Sequence, residues 1–202
     1  LSDSFLGVAI AVVSGHGLPA ALLVRDIHTG LRMGMSKEFK ITHNMERLNS
    51  IIHRSRLTSR FVSMFYGEFE RAGTLTYVNA GHPPPLFISS RGEQCSLLSG
   101  GAVLGPLSDV SYERGYATLR QGDVCVLFTD GIVEATGTVD GQAREDFGGQ
   151  RLADVVRANL QAPAEEIVQA IFTSVEQFCG TDRLDDDRTV VVIKRLAGFG
   201  EV

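Results

Sequence analysis

Two strongly apolar segments lie near the two ends of the chain, Leu6–Val13 (LGVAIAVV) and Thr189–Lys194 (TVVVIK). Short runs of this kind, rich in β-branched residues, predict strands buried on both faces. The segments between them have the periodicity of two helices, a block of short strands and two more helices. Helices grouped at two places around a run of strands favour an α+β layered fold over alternating βαβ units. We expect the first and last strands to be central in their sheets.

The remaining segments are assigned from periodicity and from turn residues. Apolar residues at helical spacing predict helices from Leu18 to about Met35, from Asn44 to about Leu57, over Arg151–Leu160 and over Ala164–Phe178. Strands are predicted over Phe61–Phe69, Leu75–Asn79, Pro85–Ser89, Tyr112–Leu119 and Val124–Thr129. Two polar stretches are interpreted as a linker, Lys37–Thr42, and as a Gly-rich surface loop, Gly131–Gly149.

Length and composition indicate one domain that spans residues 1–202, because 202 residues with 44% apolar content can bury a sizeable core. The net charge of −5, with both signs interspersed, gives no reason to expect a nucleic-acid partner. Three cysteines without a CxxC pair favour a reducing, cytoplasmic compartment over a disulfide framework. No apolar stretch of about 18 residues predicts a membrane helix, and no signal peptide is visible. Because the chain opens almost directly into a strand, we expect it to be the C-terminal part of a longer regulatory protein.

The first segment with a chemical interpretation is Ser14-Gly15-His16-Gly17, at the junction of the first strand and the first helix. Two glycines allow a sharp turn, and the exposed N–H groups of a helix N-terminus favour a nearby anion. An ordinary strand–helix turn with a capping serine explains the same residues equally well. His16 by itself is more often a structural hydrogen-bonding residue than a ligand.

Acidic residues lie at the ends of two other predicted strands. Asp130-Gly131 follows the strand VCVLFT, and Asp185-Asp186-Asp187 directly precedes the closing strand. Carboxylates at strand ends suit Mg²⁺ or Mn²⁺, which prefer oxygen ligands. Each segment taken alone is also explained as a turn or as a solvated acidic surface. The Pro-rich turn around His82 is interpreted as architectural.

Taken in order, these segments resemble the SpoIIE/RsbU-like branch of the metal-dependent (PPM, or type 2C) protein phosphatases. The resemblance runs from about Leu6 to Arg195. It is carried by VSGHGLPAALL, RLNSII, RFVSMFYGEF, LTYVNAGHPPPLF, VLGPL, QGDVCVLFTDGIVEAT, FGGQRL and DDRTVVVIKR. The family implies a four-layer αββα sandwich of two antiparallel sheets flanked by helices. It also implies hydrolysis of phosphoserine or phosphothreonine in a regulatory protein by a metal-activated water.

The resemblance implies a Mg²⁺ or Mn²⁺ site with ligands from Asp130, Asp186 and the backbone carbonyl of Val13. Positions expected beside the metal or the phosphate are Gly15, His16, Gly131 and Asp187. The implied partner is a phosphorylated signalling protein, such as a STAS-type antagonist of an anti-sigma factor. A homodimer is compatible with the sequence, and neither nucleic acid nor a membrane is expected.

The chain departs from the family at the position of the bridging aspartate. Where the family has Asp-Val-Ser-Gly-His-Gly, this chain has Val12-Val13-Ser14-Gly15-His16-Gly17. Valine offers no oxygen to a cation, so the metal site is expected to be incomplete. The alternative function is therefore a pseudophosphatase, a partner-binding module that retains the fold without full catalytic power.

Overall fold

The computed structural model describes residues 5–34, 40–55, 60–138, 144–180 and 186–196. Sixteen elements occur in these ranges. The helices are α1 (Leu18–Gly34), α2 (Ile41–Arg54), α3 (Asp130–Val133), α4 (Gly148–Ala158) and α5 (Ala164–Cys179). The strands are β1 (Phe5–Val13), β2 (Val62–Glu70), β3 (Thr74–Ala80), β4 (Leu86–Ile88), β5 (Gln94–Ser96), β6 (Gly100–Gly101), β7 (Gly115–Thr118), β8 (Val124–Phe128), β9 (Thr136–Thr138), β10 (Arg144–Asp146) and β11 (Val190–Lys194).

The chain divides into two compact units. The first contains residues 1–82 and 98–118, and the second contains residues 83–97 and 119–202. Sheet strands of the first unit run in the order β1-β2-β3-β6, with β7 also paired to β3. Those of the second unit run β11-β8-β4-β5, and β9 and β10 form a separate hairpin.

The core of the first unit lies between its sheet and the helices α1 and α2. Alternate residues of β2, namely Val62, Met64 and Tyr66, contribute to one buried cluster. From α2 the same cluster takes Met45, Leu48 and Ile52 at helical spacing. The period of two in the strand and the period of three to four in the helix each place one apolar face inward.

The core of the second unit follows the same rule. Val124, Val126 and Phe128 alternate along β8, while Ile167, Ile171 and Val175 form one stripe along α5. The expected class, α+β with two antiparallel sheets and flanking helices, is confirmed; the short pairing of β3 with β6 is parallel. This core holds the end of β8, where Asp130 follows, in a fixed place.

Both apolar end strands were predicted to be central, and this prediction is wrong for the described strands. β1 pairs with β2, and β11 pairs with β8, so each lies at the edge of its sheet. An apolar run reports burial of strand faces, which is independent of whether both strand edges are hydrogen-bonded. Leu6 in β1 is 55% exposed, so that even the faces are incompletely covered.

Three other assignments need correction. The segment Gly131–Gly149 is not one surface loop, because it holds most of α3, the hairpin β9–β10 and the start of α4, with Phe147 buried. The strand predicted over Tyr112–Leu119 is confined to Gly115–Thr118, since Tyr112 packs into the helical cluster instead. Helix α2 begins at Ile41, inside the predicted linker, because the Ile41 side chain is buried in that cluster.

Candidate metal centre

The acidic segments predicted in the second unit lie side by side. Asp130 follows β8 directly and begins α3, and Asp186 and Asp187 come shortly before β11. Since β8 and β11 pair antiparallel, with Phe128 opposite Val190, the end of one strand meets the start of the other. The antiparallel register therefore brings Asp130, Gly131, Asp186 and Asp187 together; we call these four residues the carboxylate cluster. Asp185 lies outside the described residues.

Thr129 joins the two segments of the cluster. Its Oγ1 donates to the backbone carbonyl of Asp187 (3.1 Å) and accepts from the backbone N–H of Thr189 (2.9 Å). Its own N–H donates to the carbonyl of Thr189 (3.1 Å). The threonine thus extends the β8–β11 ladder past the last paired residues. Thr129 was not singled out from the sequence, although it lies in the FTDG stretch.

Gly131 allows the closest approach between the two segments. A Cβ atom at this position would lie 2.5 Å from the carbonyl oxygen of Asp187 and 3.4 Å from Cβ of Asp186. Any side chain would therefore push the turn after Asp130 away from Asp186. Arg188 adds a hydrogen bond from Nε to the carbonyl of Gly131 (3.2 Å).

Both candidate ligand carboxylates are partly engaged by their own backbone. Oδ1 of Asp130 accepts from the N–H of Gly131 (3.0 Å), and Oδ1 of Asp186 accepts from the N–H of Asp187 (2.8 Å). Within the described ranges, no hydrogen bond reaches Oδ2 of either residue. Two carboxylate oxygens free for coordination match the donor chemistry of Mg²⁺ or Mn²⁺. Two ligands are fewer than the about six oxygens such an ion takes, and the described residues hold no group of three or more His, Cys, Asp or Glu arranged for a metal.

The remaining predicted positions belong to the first unit, at the end of β1. Val13 pairs with Val62, and its side chain packs against the cluster beneath α1 and α2. Because neighbouring residues of a strand point to opposite faces, the side chain of Val12 lies on the face away from those helices. A half-buried valine there contributes packing surface and no ligand atom.

The turn between β1 and α1 has the backbone that its glycines predict. Gly15 has φ of +83° and Gly17 has φ of +78°, both in the left-handed region. His16 is exposed between them, and its backbone carbonyl accepts a hydrogen bond from Nη2 of Arg60 (3.3 Å). Arg60 was not predicted as a site residue, although it begins the RFVSMFYGEF stretch.

His82 occupies a buried polar position in the turn after β3, as an architectural role requires. It is 3% exposed, and its Nδ1 lies 3.1 Å from Oγ of Ser63. Asn79 closes the turn, because its side chain accepts from the His82 N–H (2.8 Å) and donates to the His82 carbonyl (3.0 Å). The Pro-rich turn is therefore fixed by side-chain bonds as well as by its composition.

These features define an α+β domain with two antiparallel sheets and a carboxylate cluster where the inner strand β8 meets the edge strand β11. Residues 2–196 match the family described as Stage II sporulation protein E (SpoIIE), and the chain belongs to that family. The expected SpoIIE/RsbU-like resemblance is thus confirmed.

Known relatives agree with this membership. The chain is 29% identical over 192 residues to phosphoserine phosphatase RsbU of Bacillus subtilis (strain 168), covering 94% of this chain and 56% of that protein. The SiaA-PP2C domain of Pseudomonas aeruginosa superposes with a TM-score of 0.80 at 20% identity, over 96% of this chain and 77% of that one. RsbX, solved in complex with magnesium, gives a TM-score of 0.65 at 20% identity, over 95% and 82%. This chain therefore spans about half the length of RsbU.

Among the described helices, none combines the length and apolarity that crossing a membrane requires.

Proposed function

We propose that this domain is a Mg²⁺- or Mn²⁺-dependent phosphatase for phosphoserine or phosphothreonine in a protein. The observation that carries the proposal is the carboxylate cluster, in which Asp130 and Asp186 each keep Oδ2 free of hydrogen bonds within the described residues. Membership of the SpoIIE family and the likeness to phosphoserine phosphatase RsbU support the same reaction.

Each residue of the proposed site has a separate task. Asp130 and Asp186 would hold the cation, and the family pattern implies the backbone carbonyl of Val13 as a further ligand. Thr129 and Gly131 keep the two acidic segments in contact. A bound divalent cation acidifies water for attack on the phosphoester and screens the phosphoryl oxygens. Gly15, His16 and Asp187 lie beside these ligands in sequence and are proposed to shape the edge of the site.

Val12 limits the strength of the proposed site. Loss of residues that merely support a ligand costs metal affinity about 10–100-fold, and the absence of a ligand itself should cost more. We therefore expect one weak Mn²⁺ site instead of a tight pair. Turnover should require metal concentrations well above those that a complete ligand set would need.

The partner follows from the same family. We propose a cytoplasmic phosphoprotein of bacterial signalling, such as a STAS-type antagonist of an anti-sigma factor, as the substrate. The domain would then be the C-terminal, catalytic part of a longer regulatory protein, and a homodimer is the proposed assembly. The protein's net charge of −5 favours recognition of the phosphate through a metal over recognition through a basic surface.

The test is hydrolysis of p-nitrophenyl phosphate and of a phosphorylated STAS protein across a Mn²⁺ titration. We expect metal-dependent turnover that EDTA abolishes and that Asp130→Asn lowers to background. Asp154→Asn is the matched control, because Asp154 is an exposed carboxylate on α4 that is bonded to Arg157 and Gln150. Wild-type turnover no higher than that of Asp130→Asn would overturn the proposal.

A second function is favoured by Val12, which removes a ligand while fitting an apolar strand. In this alternative the chain is a pseudophosphatase that binds the phosphoprotein without hydrolysing it. Calorimetry separates the two functions. Partner binding without any Mn²⁺ site supports the pseudophosphatase, whereas a Mn²⁺ site that Asp130→Asn removes supports the enzyme.

A further inference from the structure

Arg60 and Phe61 hold the turn between β1 and α1 from one side. Nη1 of Arg60 donates to the carbonyl of Ser14 (2.8 Å), and Nη2 donates to the carbonyl of His16 (3.3 Å). The N–H of Phe61 donates to Oγ of Ser14 (2.8 Å), and the N–H of Ser14 donates to the carbonyl of Phe61 (2.9 Å). Four hydrogen bonds therefore tie this turn to two consecutive residues just before β2.

Gly15 provides the space for this contact. A Cβ atom on Gly15 would overlap the guanidinium group of Arg60. The glycine thus serves two purposes: it adopts φ of +83°, and it lets the arginine reach the carbonyls on both of its sides. No other described glycine has an arginine head group as its nearest neighbour.

The chemistry of arginine suits this position better than that of lysine. The planar guanidinium has donors in a fixed fork and can meet two carbonyl oxygens at once, whereas an ammonium is a point charge on a flexible stem. Hydrogen bonds from a charged donor are stronger than neutral ones. In the described ranges Arg60 has no carboxylate partner, and its two hydrogen bonds both go to this turn.

We propose that Arg60 is a positioning residue for the backbone carbonyl of Val13, the metal ligand that the family pattern implies in this unit. The carbonyl of Val13 shares a peptide plane with the N–H of Ser14, which the carbonyl of Phe61 holds (2.9 Å). Arg60 fixes the next carbonyls along the turn, those of Ser14 and His16, and thereby keeps this peptide plane in place. The inference rests on the proposed function, which assigns that carbonyl to the cation. The alternative is that Arg60 only stabilises the fold, and the two roles differ in what they do to metal binding.

The experiment compares Arg60→Met and Arg60→Lys with the wild type. Arg71→Met is the matched control, because Arg71 is an exposed arginine in the β2–β3 turn. Backbone amide exchange of residues 13–18, followed by mass spectrometry, reports the order of the turn without any need for activity. We expect exchange there to become at least about tenfold faster in Arg60→Met, with Arg60→Lys intermediate and Arg71→Met unchanged.

Mn²⁺ binding measured by electron paramagnetic resonance provides the second readout. We expect Arg60→Met to weaken Mn²⁺ binding by about tenfold and Arg60→Lys to weaken it less. Unchanged amide exchange in residues 13–18 would show that Arg60 does not hold the turn between β1 and α1, and would overturn the proposal. Faster exchange with unchanged Mn²⁺ affinity would overturn the positioning role and leave a structural one.

These outcomes are distinct from failure of the proposed function. A wild-type chain that binds Mn²⁺ without hydrolysing phosphoesters contradicts the phosphatase proposal. In that case a weaker Mn²⁺ affinity in Arg60→Met would still support the positioning role of Arg60. A wild-type chain that binds no Mn²⁺ overturns both. If Arg60→Met fails to fold, as judged by circular dichroism, Arg60→Lys alone decides by the same two readouts.

Discussion

Val12 lies directly opposite Ser63 in the antiparallel pairing of β1 with β2. Directly opposed residues share a face of the sheet, so their side chains are neighbours. Ser63 is buried, and its Oγ lies 3.1 Å from Nδ1 of His82. The position where the family carries a bridging aspartate therefore borders a buried polar pair. A carboxylate at position 12 would have a hydroxyl group within reach even without a metal.

Val12→Asp is expected to restore metal binding. Replacing valine by an acidic residue adds the missing ligand, so Mn²⁺-dependent turnover should rise by at least about tenfold. The measurement is hydrolysis of p-nitrophenyl phosphate over a Mn²⁺ titration. Val12→Asn is the control, since it has a similar shape without the charge; equal Mn²⁺ dependence for the two variants would contradict the expectation.

The same substitution should lower stability when metal is absent. A half-buried carboxylate with incomplete hydrogen bonding costs about 1–3 kcal/mol in the free energy of unfolding. Mn²⁺ should recover part of this loss, because a ligand that binds only the native state stabilises it by mass action. Urea unfolding of Val12→Asp with and without Mn²⁺ measures both effects. A variant with wild-type stability in EDTA would show that position 12 tolerates charge without a metal.

Gly131→Ala is expected to separate the two segments of the carboxylate cluster. The added Cβ would lie 2.5 Å from the carbonyl of Asp187, and forced overpacking of this kind costs about 1–3 kcal/mol. Both the urea midpoint and the Mn²⁺ affinity should fall. Gly149→Ala is the matched control, because its added Cβ meets no atom within 4 Å apart from its chain neighbours and its own helix, and alanine in a helix should not lower the urea midpoint. If both variants unfold at the same urea concentration, the close contact is not what holds the cluster.

Asp123→Asn tests an acidic residue whose role is structural. The buried carboxylate of Asp123 accepts the N–H groups of Ser90 (2.8 Å) and Arg120 (2.7 Å). An asparagine offers one oxygen for these two donors, so one bond is lost at a cost of about 1.5–3 kcal/mol. Thermal or urea unfolding should show this loss, while the Mn²⁺ concentration for half-maximal turnover stays unchanged. A shift in Mn²⁺ dependence would assign Asp123 to the metal instead.

Cys125 gives a prediction for alkaline pH. Burial raises the pKa of its thiol from 9.0 to about 12, with a smaller contribution from Cys95. The unfolded thiol ionises first, so above pH 9 the unfolded state binds fewer protons than the native state. The free energy of unfolding should then fall by up to about 1.4 kcal/mol per pH unit between pH 9 and 12.

Thiol labelling checks the same burial directly. At pH 8 iodoacetamide should modify the exposed Cys95 in the native protein and reach Cys125 only after denaturation. Cys125→Ala is the control for the pH dependence, because it removes the titrating group from β8. The slope should become shallower in that variant without vanishing, because burial also raises the pKa of Tyr112 to about 12. An unchanged slope would show that Cys125 is not its origin.

Local pattern was sufficient for much of the fold. The apolar stripes of α1 and α5, and the short strand-forming runs of β2 and β8, are properties of neighbouring residues, and these elements were predicted within a few positions of the observed bounds. Gly15 and Gly17 were predicted to turn sharply, and both have positive φ. Asp130 and Asp186 were predicted as metal ligands from the family motif and from their positions at strand ends. Both features are visible in one sequence.

Other features depended on residues far apart in the sequence. That β1 and β11 are edge strands cannot be deduced from their apolar composition, because pairing is decided by neighbours elsewhere in the chain. The same holds for Tyr112, whose packing under α1 and α2 removed it from the predicted strand. Local composition also misjudged the segment 131–149, in which a short hairpin and a buried Phe147 interrupt the polar sequence.

The sequence by itself determined the family of this protein, its α+β class and the absence of an oxygen ligand at Val12, because motifs and side-chain chemistry are local. Only the tertiary structure decided that Ser63 lies beside Val12, that Gly131 lies against Asp186 and Asp187, and that Arg60 holds the turn after β1. Each of these contacts joins residues more than 40 positions apart, and strand register and side-chain reach, not periodicity, bring such residues together.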